Sequence, residues 1–583
     1  MPDEEKLSSY LNKSKIVSNS TYEKKIRIAI LGGFTLNGLE ETMRVKCHEK
    51  KIQCTTYVSG YNQYNQEILD EKSQLHKFSP DITFLIIDSR NILGELFLNP
   101  YSLSAEERKQ FVQNKSDEII NLAKTLVKKS NSKLILSNFG MPSYSPIGIN
   151  ETREEFGLHD MIRSLNQNIK TGLRVEPEIF IYDLNSFVSK FGENNIFNYK
   201  QFFYGDIRIS LDYIPYLAQE LMGYVTAVLG LIKKCIVLDL DNTLWGGIVG
   251  EDGFDGIELG DTPNGKAFVE FQKELLSLWN QGIILAINSK NNLEDAMKVI
   301  SEHPNMLLRE KHFANIQINW DDKAINFKKI VDEINIGLNS IVFFDDDKIN
   351  CERIKQEFPE VLTVNLFGDP SQFSTILKEL NDFNVLQRTA EDKKRGEMYS
   401  QQRERKNLER NVSNLNDFLN ELDIRVKIKK SNNFLIPRIS QLTLKTNQFN
   451  LTTRRYQEEE IRNLSNDTNF SVGCAQVLDK FGDNGVTGVY IVKKNETYWT
   501  IDTFLLSCRI MGRGVENAIL SQILKEAKLN GVEELRAEFI PTPKNKPAEN
   551  FLADYGFTKQ DNFWVYKLNN DIKSPNHLKV ETE

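Results

Sequence analysis

Two series of short apolar runs, separated by helical stretches, constrain the fold of this chain more than any other feature. KIRIAILGGFT, DITFLIID and KLILSNFG form the first series; CIVLDLD, GIILAINS and SIVFFDDD form the second. Apolar runs that alternate with helices read as buried strands of parallel sheets, because parallel strands need a crossover between them and are covered on both faces. The sequence therefore predicts an α/β multidomain chain with a boundary near residue 232. At 583 residues it exceeds what one hydrophobic core usually organises.

Composition narrows the function. The chain is 40% hydrophobic and 26% charged, with a mean hydropathy of −0.42, values typical of a soluble globular protein. Its net charge of −8 supplies no basic field for nucleic acid or an anionic membrane, so neither is an expected partner. The start, MPDEEKLSSY, is acidic and polar where a signal peptide needs a basic stretch followed by an apolar one. YIPYLAQELMGYVTAVLGLIKKCIVL is interrupted by Gln219, Glu220 and two lysines, and reads as a packed helix running into a strand. Cys47, Cys54, Cys235, Cys351, Cys474 and Cys508 form no CxxC pair, which argues against zinc and against a disulfide framework. A cytoplasmic location is expected.

The expected organisation is a polar tail over 1–25, an α/β domain over 26–232, a second over 233–384, a charged helical connector over 385–429, a third domain over 430–570 and a loose tail over 571–583. GVTGVYIV, TYWTIDTFLLSC and ELRAEFI are predicted strands of the third domain, with the helix ENAILSQILKEAKLNG between the last two.

Ligands of parallel sheets bind beyond the carboxyl ends of the strands, so the acids closing CIVLDLD and SIVFFDDD are expected to meet there. Asp239 and Asp241 lie on one side of an extended chain, with Asp345 and Asp346 at the neighbouring strand end. Clustered carboxylates call for a hard cation, and Mg²⁺ fits. Ser289 ends the strand ILAINS and Lys323 lies in INWDDKAIN; a hydroxyl and an ammonium hold phosphoryl oxygens and offset charge on a departing group.

DLDNT at 239–243, Ser289, Lys323 and DDD at 345–347 together resemble the haloacid-dehalogenase superfamily of phosphotransferases. That resemblance implies Asp239 as nucleophile, Asp241 as general acid/base, Thr243, Ser289 and Lys323 as phosphate-binding groups, and Asp239, Asp241 and Asp345 or Asp346 around Mg²⁺. About 45 residues separate the first motif from Ser289 and 34 positions separate Ser289 from Lys323, so no large cap domain fits either gap.

LDLDNTLWGGIVGEDG, VFFDDDKINCER and QLTLKTNQFNLTTRRY are similar to the FkbH-like family. This resemblance implies release of phosphate from a phosphorylated three-carbon acid, typically 1,3-bisphosphoglycerate, and transfer of the glyceryl group to an acyl carrier protein. Secondary-metabolite or surface-glycan biosynthesis is the implied setting. RIMGRG at 509–514 follows a strand and opens a helix, where backbone N–H groups bind pyrophosphate or a pantetheine arm. With NKPAENFLADYGF it resembles a GNAT-type α+β acyltransferase, placing phosphopantetheine or acyl-CoA at Arg509, Gly512 and Gly514. Cys508 directly precedes that turn. It reads either as a nucleophile that carries the acyl group or as a small buried strand residue. The run with Thr446, Asn447, Gln448, Asn450, Arg454 and Arg455 reads equally as a substrate or carrier site and as solvated surface.

GGFTLNGL and NFG at 138–140 resemble the SGNH hydrolase fold of the same family, with Thr35 where a nucleophilic Ser is expected and no histidine between 200 and 230. A docking or lid role is expected rather than Ser/His hydrolysis. Two alternatives to carrier acylation stand: a phosphatase fused to an acyl-CoA-dependent N- or O-acyltransferase acting on an amino sugar, and a non-catalytic scaffold.

Overall fold

The computed structural model describes residues 6–17, 22–388, 390–412, 414–568 and 574–583, with the side chains of residues 390, 391, 410, 411 and 508 outside that set. Two compact units result: Met1–Ile232 with Leu380–Leu386, and Lys233–Glu379 with Gln387–Glu583.

The first unit is built on five parallel strands: β1 (Lys24–Gly32), β2 (Ile52–Val58), β3 (Ile82–Ile86), β4 (Lys133–Ser137) and β5 (Ile179–Tyr182), in the order β2-β1-β3-β4-β5. Alternate residues of β1 face opposite sides. Ile26, Ile28 and Ile30 pack in a core that includes Met43 and Leu217, whereas Ala29 and Leu31 pack in one that includes Leu122 and Leu165. Both faces are thus sealed by helices, which explains why the strands read as unbroken apolar runs. The longest helix, Ala105–Lys129, starts at Ser104, whose hydroxyl accepts from the Glu107 N–H while the Glu107 carboxylate accepts from the Ser104 N–H.

The second unit holds two sheets. In the first, β6 (Cys235–Leu238), β7 (Ile284–Ser289), β8 (Phe313–Ile318), β9 (Ile341–Asp345) and β10 (Leu362–Asn365) are parallel, in the order β10-β9-β6-β7-β8. The segment between β6 and β7 forms a loop, the one-turn helix Val249–Asp252 and the helix Pro263–Asn280, with no inserted cap. The other sheet is mixed. It comprises β11 (Ile424–Lys430), β12 (Phe449–Asn450), β13 (Phe470–Asp479), β14 (Gly482–Lys494), β15 (Tyr498–Leu506), β16 (Glu534–Ala537), β17 (Thr558–Gln560), β18 (Phe563–Lys567) and β19 (Leu578–Thr582). β15 and β16 are parallel neighbours joined through the helix Val515–Leu529. The α/β multidomain class expected from the sequence is the one observed.

Two segments differ from expectation. The connector expected over 385–429 is built into the unit: Arg405, on the helix Arg395–Asn411, forms a double hydrogen bond to Asp479 at 2.6 and 2.7 Å, and Lys406 donates to the Glu333 carbonyl at 2.8 Å. β11 also begins inside that range. The loose tail expected over 571–583 ends instead in β19, parallel to β11, with Leu578 buried. An edge strand draws its stability from backbone pairing, so the exposed Lys579, Glu581 and Thr582 hid it from a hydrophobic pattern. Among the described residues no helix is long and apolar enough to cross a membrane; Ile214–Val228 and β6 divide the most apolar segment.

Candidate active site

The acids gather where the strands of the parallel sheet in the second unit end. Leu238 of β6 lies opposite Phe344 of β9, and the next N–H, that of Asp239, donates to the Phe344 carbonyl at 3.1 Å. Strand register therefore sets Asp239 beside Asp345. Lys323 begins the helix Lys323–Ile334 after β8, and its ammonium donates to Oδ2 of Asp239 at 2.6 Å and to Oδ2 of Asp345 at 2.5 Å. All three are buried.

Other groups fix each acid in place. Oδ1 of Asp345 accepts from the Asp347 N–H at 2.9 Å and from the Asn350 amide at 3.1 Å. The Asn365 amide donates to the carbonyls of both Asp345 and Asp346. Burial, reinforced by the charge of Asp239, pushes the Asp345 carboxyl up to about 7 and raises that of Asp346 as well. Burial opposes the charge on Lys323, yet Asp239 and Asp345 hold its ammonium above the ordinary lysine value.

Asp239, Asp345 and Asp346 each offer an oxygen, all within 4.8 Å of one another. One ammonium faces three acids, and an all-oxygen donor set of this kind suits Mg²⁺. Asp241, expected among the same ligands, is held apart. Its Oδ1 accepts from the Trp245 indole at 2.8 Å and the Val249 N–H at 3.2 Å, and its Oδ2 from the Asn291 amide at 2.9 Å. Burial raises its pKa against those hydrogen bonds. A left-handed Asn242, at φ 52°, turns the chain between Asp241 and Trp245. Ser289 is buried at the end of β7, and Thr243 is buried with its hydroxyl unpartnered by protein.

Trp245, Asn291, Asn350 and Asn365 have no role in the sequence reading, although Trp245 and Asn350 fall inside two of its motifs. Trp245 and Asn291 sit in loops, Asn350 on the helix Lys348–Glu357 and Asn365 at the end of β10, and only folded geometry reveals the acceptor of each, although the Asn-rich NSKNN at the end of β7 was a visible signal.

The residues singled out in the third domain lie on the turn between β15 and the helix Val515–Leu529 and on the segment that follows the helix Ile436–Lys445. Arg509 lies in the short 3₁₀ turn Cys508–Ile510, donating to the Ser507 hydroxyl at 3.3 Å and to the Met398 sulfur at 2.8 Å. The Cys508 side chain lies outside the described residues. Gly512 and Gly514 adopt φ 74° and 79° ahead of the helix Val515–Leu529, which only glycine does readily. A Cβ on Gly514 would stand 2.9 Å from Pro575, and His577 meets the Arg513 carbonyl at 2.9 Å, so the C-terminal segment lies against this turn. Neither reading of the TNQFN run fits its whole length. Asn450 is fully buried and organises its own turn through Thr452 and Thr453, and Arg454 pairs with Asp502 and Glu538. In the first unit, Thr35 donates to the Gly205 carbonyl at 2.6 Å.

This parallel sheet without a cap, with paired acids, a serine and a lysine at its strand ends, has the arrangement of a haloacid-dehalogenase-like phosphatase fold. Comparison with known proteins agrees at that level. The chain is similar, at 27% identity and a TM-score of 0.60, to the N-terminal part of a Bacteroides fragilis protein that contains a phosphatase domain and was crystallised with Mg; the match covers 66% of this chain and all of that one. The family model described as FkbH, N-terminal domain, matches residues 27–226. GNAT-family acetyltransferases also match: one from Staphylococcus aureus at 13% identity, over 25% of this chain and 99% of that one, with a TM-score of 0.20; and one from Elizabethkingia anophelis, with acetyl-CoA bound, at 16% identity, over 23% and 78%, with a TM-score of 0.18. No curated protein matches the sequence.

Proposed function

We propose that the chain is a Mg²⁺-dependent phosphotransferase. It releases phosphate from a phosphorylated small acid of the glyceryl type, 1,3-bisphosphoglycerate by resemblance, and passes the acyl group to the thiol of an acyl carrier protein. The observation that carries this reading is the ammonium of Lys323 bridging Asp239 and Asp345 at the end of the sheet. Asp239 attacks the phosphorus of the C3 phosphate ester as its bond to the ester oxygen breaks, while the acyl phosphate at C1 is kept for the thiol, whose sulfur forms the thioester as that second phosphate departs. Asp241, protonated, gives its proton to the ester oxygen, then as carboxylate takes a proton from the water that hydrolyses the aspartyl-phosphate. Lys323, Ser289 and Thr243 hold the phosphoryl oxygens. Asp239, Asp345 and Asp346 would hold Mg²⁺, which supplies charge neutralisation at the phosphoryl group when bound.

Support for the acyl-transfer half is the match of residues 27–226 to the FkbH N-terminal domain and the strand–turn–helix at Leu506–Val515. Arg509, Gly512 and Gly514 are its thiol-carrier residues and Cys508 its acyl-bearing nucleophile. Cys47, Cys54, Cys235 and Cys351 are free thiols, which suits a reducing cytoplasm. The test is the intact mass of a phosphopantetheine-bearing carrier protein after incubation with the chain, Mg²⁺ and 1,3-bisphosphoglycerate. A glyceryl increment on the carrier, lost in Asp239→Asn and in Cys508→Ala, is expected. Phosphate release with no increment would remove the carrier step, and turnover with free CoA and an amino sugar would favour the fused N- or O-acyltransferase.

A further inference from the structure

The second unit contains a cavity of about 360 Å³ that the phosphotransfer chemistry leaves unused. Five cations line it, Lys234, Arg395, Arg438, Lys445 and Arg509, against a single acid, Asp392. That acid is already engaged, accepting from Arg395 and from the Gln441 amide at 2.9 Å. The ammonium groups of Lys234 and Lys445 make no hydrogen bond or salt bridge among the described residues. Burial lowers the Lys445 ammonium to about 8, with Lys234, Arg395 and Arg438 adding to the fall against the pull of Asp392. Like charges gathered in a concave space repel one another, and a bound anion reverses that cost.

Position separates this cavity from the phosphatase centre. Lys234 and Ser340 immediately precede β6 and β9, so the cavity lies at the amino ends of strands whose carboxyl ends carry Asp239 and Asp345. Five residues of strand from Lys234 to Asp239 span roughly 16 Å. A three-carbon substrate bound at Asp239 does not reach it. On its other side the wall is formed by Leu442, Leu506, Ser507 and Arg509, bringing apolar surface and the start of the RIMGRG turn to the same space.

The geometry points to a second anion site: the cavity binds the phosphate of a phosphorylated organic ligand, distinct from the phosphoryl group handled at Asp239. Its volume is that of a small-ligand pocket. Phosphate of this kind comes either on a pantetheine-type thiol or on a free small metabolite; the thiol source rests on the acyl-carrier reading that names Arg509, and neither source rests on the phosphotransfer chemistry at Asp239.

Calorimetric titration of the full chain with sodium pyrophosphate, 4′-phosphopantetheine and pantetheine tests it. Pyrophosphate and phosphopantetheine should bind, with pantetheine at least tenfold weaker. The double substitution Lys234→Ala/Lys445→Ala should weaken that binding tenfold or more, the double arginine variant should retain it, and Lys323→Ala should leave it in place. Phosphopantetheine binding tenfold tighter than pyrophosphate identifies a thiol ligand; equal affinities identify a free phosphate. Absence of binding in the wild type, binding that survives the double alanine variant, or binding lost in a Lys323→Ala variant that keeps the wild-type circular dichroism spectrum, would each overturn the proposal. Loss of phosphatase activity in Lys323→Ala with the cavity still binding would bear on the phosphotransfer reading alone.

Discussion

The ammonium of Lys323 stands 2.6 Å from the Asp239 carboxylate across 84 positions of sequence, both side chains buried. Its second contact, to Asp345, makes it the internal counter-ion of the site. A buried ion pair of this kind is costly to break from one side, because the remaining charge loses its partner without regaining water.

Lys323→Met therefore leaves the acids uncompensated and is expected to destabilise the second unit by about 3–5 kcal/mol. Millimolar Mg²⁺ should recover part of that loss, and EDTA should abolish the recovery. Denaturant unfolding with and without Mg²⁺ measures both; a variant as stable as wild type in EDTA would show that the ammonium is not needed as counter-ion.

Asp241 and Asp345 should separate in function. Asp241→Asn is expected to slow phosphate release by about 10²–10⁴-fold, the usual worth of a general acid/base, while leaving the stabilisation by Mg²⁺ intact, since its carboxylate is held by Trp245, Val249 and Asn291. Asp345→Asn should lose the Mg²⁺ effect. Equal loss of Mg²⁺ stabilisation in both variants would restore Asp241 to the metal set.

Arg405 and Asp479, 1% and 0% exposed, tie the helix Arg395–Asn411 to the mixed sheet. Arg405→Ala leaves Asp479 buried with fewer donors and should lower stability by about 3–5 kcal/mol, far above the cost at an exposed pair. Chemical denaturation reads this directly, and a change below about 1 kcal/mol would contradict it.

His312 makes the second unit acid-sensitive. Burial, with Lys311 and Arg309 nearby, lowers its pKa to about 4, and its Nδ1 accepts from the Arg309 N–H at 2.8 Å. A depressed value means that the neutral ring is the folded form, so its contribution is present above the unfolded value of about 6.5 and is lost as pH falls towards 4. Thermal midpoints should drop over that window, and His312→Gln should drop less between pH 7.5 and 4.5. An equal drop in both would assign the acid sensitivity elsewhere.

Much of the site was legible because its chemistry is written at strand ends. Asp239, Ser289 and Asp345 each close an apolar run, and parallel strands can end only on one side of their sheet. Lys323 converges with them because its helix starts where β8 has just delivered the chain to that side. What escaped depends on contacts that carry no pattern. Asp241 shares a strand end with Asp239, yet an indole four residues on and an amide fifty residues away draw its carboxylate off. The charged segment around Arg405 looked like a linker because its one buried guanidinium is matched by an acid 74 positions later. Composition cannot show that an isolated charge has a distant partner.

Whether Asp239 is the nucleophile is settled most directly by rapid-quench mass spectrometry of the protein mixed with Mg²⁺ and 1,3-bisphosphoglycerate. A transient phosphoryl increment on the wild-type chain, located on the peptide containing Asp239 and absent from Asp239→Asn, is the expected result. Phosphate release at an undiminished rate by Asp239→Asn, with no increment on either chain, would contradict it.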